Sequence, residues 1–125
     1  MQKPISELEQ EAMNIVWVLK KCSVRNVADK LNQEKKLAYT TVATILQRLY
    51  EKGLVIRDNK DSVLLYSPKI SKESYGRNIS SMFVNKFVSS FGDAAIASFA
   101  ESIEKLPKKK KDYFLKLLRI ANENE

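Results

Sequence analysis

The segment from Leu37 to Gly53, LAYTTVATILQRLYEKG, carries the most legible chemistry in the chain. Val42, Ile45, Leu46 and Leu49 recur at i, i+3, i+4 and i+7, so the segment reads as a helix with one apolar stripe for a core to cover. The other side keeps Thr40, Thr41, Thr44, Gln47 and Arg48. Hydroxyl, amide and guanidinium groups bond phosphate oxygens and base edges, and the three threonines cluster in the first turns, where a recognition helix meets the major groove of DNA. Gly53 is expected to end the helix as a left-handed cap. The plainer alternative is a solvated amphipathic helix whose threonines read nothing.

The neighbouring segments supply what would position such a helix. In SVRNVADKLN, Ser23 is an N-cap, and Val24, Val27, Ala28 and Leu31 have helical spacing. The polar stretch from Asn32 to Leu37, with Glu34, Lys35 and Lys36, suits a turn between two crossing helices, which makes a helix-turn-helix. Downstream, Leu54 to Ile56 and Val63 to Tyr66 read as strands separated by RDNKDS, with Asp58, Asn59 and Asp61 as turn formers. A hairpin there is a wing, and Arg57 and Lys60 on it are expected to reach backbone phosphates. Upstream, Ser6 and Glu9 form a capping box for a helix through Trp17, with Leu8, Ala12, Ile15, Val16 and Leu19 as its buried stripe.

The second half is helical. Pro68 breaks the strand, and Ser71 caps a helix bearing Tyr75, Ile79, Met82, Phe83 and Phe87, closed by Phe91 and Gly92. Asp93 is expected to cap a second helix, with Ile96, Phe99, Ala100 and Ile103 on one face, and Pro107 restarts a third that carries Phe114, Leu117, Leu118 and Ala121. Three short helices with large aromatic stripes cannot bury those faces alone. A second copy is the simplest cover, with Ile79, Met82, Phe83, Phe87, Phe91, Phe114, Leu117 and Leu118 at the interface. The alternative is that they fold back on the winged helix of the same chain. Lysines 108 to 111 oppose the dipole at a helix start and read as a solvated end, with a phosphate or membrane-surface contact as the lesser reading.

Composition narrows the function classes. A net charge of +7 and a pI near 9.5 favour a polyanionic partner. The excess is spread, +4 over residues 1–70 and +3 over 71–125, so charge alone does not locate the site. With no histidine, three glycines and no G-x-S-x-G, the chain offers neither a nucleophile elbow nor a phosphate-cradling loop. Glu7, Glu9 and Glu11 sit at a helix start, where they complement the dipole, so no enzyme is expected. A single cysteine, Cys22, forbids an internal disulfide and leaves no zinc or copper cluster; it reads as a partly buried residue, with a redox-sensing thiol as the minor alternative. No run reaches the length of a membrane span and no signal-peptide core is evident, so a cytoplasmic location is expected.

Taken with these residues, ISELEQEAMNIVW, NVADKLN, LAYTTVATILQRLYEKGLVIR and YSPKISKESY resemble the penicillinase repressor family, which includes repressors of beta-lactamase and methicillin-resistance genes. The likeness covers the first three fifths closely and is one of layout after Tyr75. It implies a dimeric winged-helix protein with Tyr39, Thr40, Thr41, Thr44 and Arg48 facing the groove and Arg57 on the wing. It also implies release by proteolysis in the middle helix of the dimer region, under a membrane sensor-protease. In the drug-resistance repressors the cut falls at asparagine followed by phenylalanine; the matching positions here are Ser98 and Phe99, so the phenylalanine is kept and the asparagine is not. Copper-responsive relatives carry paired C-terminal cysteines, which this chain lacks.

The expected fold is therefore mainly α with a small β-hairpin: a winged helix-turn-helix over residues 1–70 and a helical dimerisation region over 71–125. The expected function is repression of transcription by a homodimer on a palindromic double-stranded DNA operator, with no cofactor. Lys36, Tyr39, Thr40, Thr41, Thr44, Arg48, Arg57 and Lys60 are the expected DNA contacts. The other readings are a winged helix that docks on a protein, for which the polar Thr40 to Arg48 face is ill suited, and a repressor that holds a small effector between its dimer helices.

Overall fold

The computed structural model describes residues 4–124, so the outer ends of both expected regions lie outside the described residues. The elements run α1 Glu7–Leu19, β1 Cys22–Ser23, α2 Val24–Leu31, α3 Tyr39–Glu51, β2 Val55–Lys60, β3 Val63–Pro68, α4 Lys72–Phe91, α5 Asp93–Glu104 and α6 Lys108–Glu123. The chain forms two compact units, one through Ser81 and one from Met82, with α4 contributing to both.

Local sequence accounts for the helix limits in the first unit. Ser6 and Glu9 make the reciprocal capping box at α1, and Ser23 and Asn26 make a second one at α2. Helix α3 ends on Gly53, whose φ of 79° carries a Schellman closure: Leu54 N–H donates to the Leu49 carbonyl and Gly53 N–H to that of Tyr50. The apolar stripes of α1, α2 and α3 meet in one core, where Ala12, Met13, Val16, Val27, Val42, Leu46 and Leu49 are fully or nearly fully buried. Met13 and Trp17 join the α1 residues expected there, while Leu8, Ile15 and Leu19 pack at the edge.

Three features of this unit differ from the sequence reading. The sheet has three antiparallel strands in the order β1-β3-β2, because Cys22 and Ser23 pair with Tyr66 and Leu65. A strand of two residues has no periodicity to detect. The hairpin turn is shorter than RDNKDS. Residues 57–60 continue β2 in register with β3, and only Asp61 and Ser62, with φ of 53° and 65°, make the left-handed turn. Asp58 and Asn59 are thus strand residues. Finally, Glu9 does more than complement a dipole: it is buried and takes two hydrogen bonds from Lys52 Nζ at 3.0 Å, tying the start of α1 to the end of α3.

Helix α4 starts where Ser71 caps it, its hydroxyl accepting from Ser74 N–H at 3.1 Å. Its first turns belong to the winged-helix core. Tyr75 is buried with its ring 5.8 Å from that of Trp17, and the Trp17 indole N–H donates to the Ile70 carbonyl at 2.9 Å. Ile79, partly buried, packs against the same core. Sequence periodicity had run one stripe through Tyr75, Ile79 and Phe87, but a stripe cannot say that its two halves meet different partners.

In the second unit, Phe83, Phe87 and Phe91 stack along the rest of α4, with centroids 6.0 and 6.3 Å apart, and Phe87 lies 6.5 Å from Phe99 of α5. Gly92, with φ of 58°, turns the chain into α5 and is its N-cap; Asp93 is the first helical residue and not the cap expected. The inward face of α5 is Ala95, Phe99 and Ile103, while Ile96 and Ala100, expected beside them, are exposed. Helix α6 buries none of its residues, and Leu117 and Leu118 are about half exposed.

Candidate nucleic-acid interface

Because the α3 stripe is spent on the core, its other side is fixed by elimination. Thr40, Thr41, Thr44 and Arg48 are exposed, and at 3.6 residues per turn they span roughly 100° of arc. Tyr39, the first residue of the helix, is half exposed, and the Arg25 guanidinium lies 5.5 Å from its ring centroid. Lys36 is exposed in the extended stretch before α3, which is held by a 2.7 Å bond from Leu37 N–H to Asn32 Oδ1. Lys35, on the same connection, pairs with Glu11 at 2.9 Å and is less available. Thr44 donates its hydroxyl to the Thr40 carbonyl at 2.9 Å, so outward it offers an acceptor and a methyl group.

Beside this face runs an open groove of about 690 Å³. One wall is the start of α2 at Ser23, Val24 and Arg25; the floor is Tyr39, Ala43, Thr44 and Gln47 of α3; the other wall is the hairpin at Ser62, Val63, Leu64 and Tyr66. Tyr39 and Thr44 are the expected contacts that it gathers, and Thr40, Thr41 and Arg48 stand outside it on the outward face of α3. Arg25 and Gln47 were not among the expected contacts. Gln47 was read on the polar face of α3 but not carried into the expected contacts. Arg25 had no signal, because α2 was read only for its buried side.

The two wing cations separate. Residues 57 and 60 are three apart in one strand, so they point to opposite faces of the hairpin. Lys60 sits at the tip opposite Val63. Arg57 turns to α3: its guanidinium lies 3.9 Å from the centroid of Tyr50 and donates to Gln47 Oε1. Asp58, on the other face, lies 3.9 Å from Lys21. Cys22, in β1, is buried, and burial pushes its thiol up to about 11, which disfavours the reactive thiolate.

The described residues hold no group of three or more metal-ligating side chains, and none of their helices is long and apolar enough to cross a membrane.

The sequence profile of the family described as penicillinase repressor matches residues 5–119. The chain belongs to that family. Its relatives include the methicillin resistance regulatory protein MecI of Staphylococcus aureus, 28% identical over 97 residues that make up 78% of this chain and 79% of that one. The penicillinase repressor of the same species is 26% identical over 82% of both chains. Among solved structures, the DNA-binding domain of the repressor BlaI matches with a TM-score of 0.52 and 28% identity, covering 60% of this chain and 94% of that domain. Monomeric BlaI of Bacillus licheniformis, solved in complex with the blaP half-operator, matches with a TM-score of 0.51 and 27% identity over 60% of this chain and 92% of that one. A MarR-family protein of Bacillus stearothermophilus, 18% identical at a TM-score of 0.50 over 98% of this chain and 76% of that one, shares the fold. This family member is thus a winged-helix protein whose homologues are transcriptional repressors.

Proposed function

We propose that this family member represses transcription by binding a palindromic operator as a homodimer. The observation that carries the DNA reading is the exposed Thr40, Thr41, Thr44 and Arg48 face of α3, flanked by a hairpin, in a fold shared with a repressor solved on its half-operator. In this reading the threonines meet base edges or flanking phosphates, Arg48 and Lys36 meet phosphates, Tyr39 and Arg25 line the strand beside the groove, and Lys60 reaches the backbone from the wing tip. No cofactor takes part.

The dimer rests on the second unit. Phe83, Phe87, Phe91, Leu117 and Leu118 remain exposed, Met82 and Phe114 only half-buried, and α6 has no buried residue, which is more apolar surface than a lone helical unit leaves in water. A second copy covering it would place two recognition helices in two major-groove half-sites related by a dyad. The Ser98–Phe99 bond, within α5, is the point where a membrane sensor-protease would release the repressor; a cut there severs α6 from α4. Footprinting over promoter DNA tests the operator claim. Two protected half-sites with dyad symmetry are expected, and protection without symmetry or without sequence preference contradicts it.

A further inference from the structure

Arg57 is four residues past Gly53, where the chain leaves α3 for the hairpin, and its side chain returns to that helix. It touches Gln47 and Tyr50, which lie at i and i+3 on one side of α3, and Glu51 at i+4 continues the chain: Gln47 Nε2 donates to Glu51 Oε1 at 3.1 Å. On the hairpin, Arg57 faces the same way as its cross-strand neighbour Tyr66, which lines the groove.

The chemistry of these groups fixes more than a contact. A guanidinium has only donors, so the Gln47 side chain must present its oxygen to Arg57 and its nitrogen to Glu51. Turning the amide over would set donor against donor at one end and acceptor against carboxylate at the other. What Gln47 keeps for the groove is one N–H and one lone pair, in a set orientation. Arg57, over the Tyr50 ring and donating to Gln47, has its guanidinium engaged by α3.

We infer that Arg57 is a positioning residue, a clamp that fixes the wing against the recognition helix and orients Gln47, and so sets sequence discrimination without itself contacting DNA phosphate. The discrimination part of this inference rests on the DNA reading of α3; the clamp itself does not.

Full-length Arg57→Lys and Tyr50→Leu variants separate the two roles. Lysine keeps the charge a phosphate contact needs and loses the planar, forked group the clamp needs. The expected result is that each variant loses on the order of tenfold in preference for operator over random DNA, with the slope of affinity against salt unchanged, and that the double variant is no worse than either single one. In the free protein, both variants should exchange the β2 and β3 amide hydrogens faster. Wild-type discrimination in Arg57→Lys overturns the inference, as does an Arg57→Ala variant that weakens all DNA equally and lowers the salt slope by about one counterion. Faster exchange with discrimination intact also overturns it, since the clamp would then serve stability alone. If the wild type prefers no DNA, the operator reading fails on its own, and unchanged amide exchange in both variants would still dismiss the clamp.

Discussion

At the residue scale, the proposed DNA interface depends on a few exposed side chains of α3. Thr41 and Arg48 are exposed on α3 and serve no core contact, so truncating either should leave stability within about 0.5 kcal/mol. Thr41→Ala or Arg48→Ala should weaken operator binding by roughly 1 to 3 kcal/mol where the contact is to a base; unchanged affinity in both would refute the assignment of α3. The Glu9–Lys52 pair makes a different demand. Burial alone would raise the Glu9 carboxyl, but the Ser6 amide and Lys52 outweigh it and hold it below its ordinary 4.5. A carboxyl depressed in the fold contributes stability that is complete above pH about 4.5 and is lost as the pH falls through its folded value. Lys52→Met should therefore cost roughly 2 to 3 kcal/mol near pH 7, less than a fully buried pair because Lys52 stays partly in water. The cost should shrink near pH 4, where the unpaired Glu9 takes up a proton. Urea unfolding at both pH values checks this, and an equal loss at each would show that the lysine acts through packing alone.

At the element scale, the helices were legible because their stripes and caps agree: Ser6, Ser23 and Ser71 cap as their spacing implies, and Val42, Ile45, Leu46 and Leu49 are all buried. The wing was read less well. Arg57 and Lys60 looked alike as wing cations, and only the strand register, with residues 57–60 continuing β2, shows that they lie on opposite faces. Asp58 and Asn59 have turn propensity, yet pairing with Leu65 and Leu64 overrides it. Gly53 is the hinge between the two elements. A Cβ built there meets nothing within 4 Å, so Gly53→Ala carries only the strain of a φ of 79°. That should cost about 1 kcal/mol in thermal unfolding; a neutral substitution would mean that the Schellman closure yields easily to another turn.

At the scale of the whole molecule, the sequence reading divides the chain after residue 70, whereas the compact units divide after Ser81, within α4. Tyr75 and Ile79 fit the same periodicity as Phe83 and Phe87, and burial alone reveals that the first pair completes the winged-helix core. Two truncations follow. A chain ending at Ser81 should fold as a monomer with weak operator affinity, whereas one ending at Ile70 also loses Tyr75 from Trp17 and should be less stable by roughly 3 kcal/mol or more. Circular dichroism melts and sedimentation compare them; equal melts would place Tyr75 outside the core. The central claim is tested most directly by titrating the purified full chain against DNA from the promoter of its own gene, at two salt concentrations, with random DNA as competitor. The expected result is tight binding that survives the competitor, with two chains per site. Weak binding that falls equally with salt on every DNA would contradict it and would reduce the basic surface to nonspecific attraction.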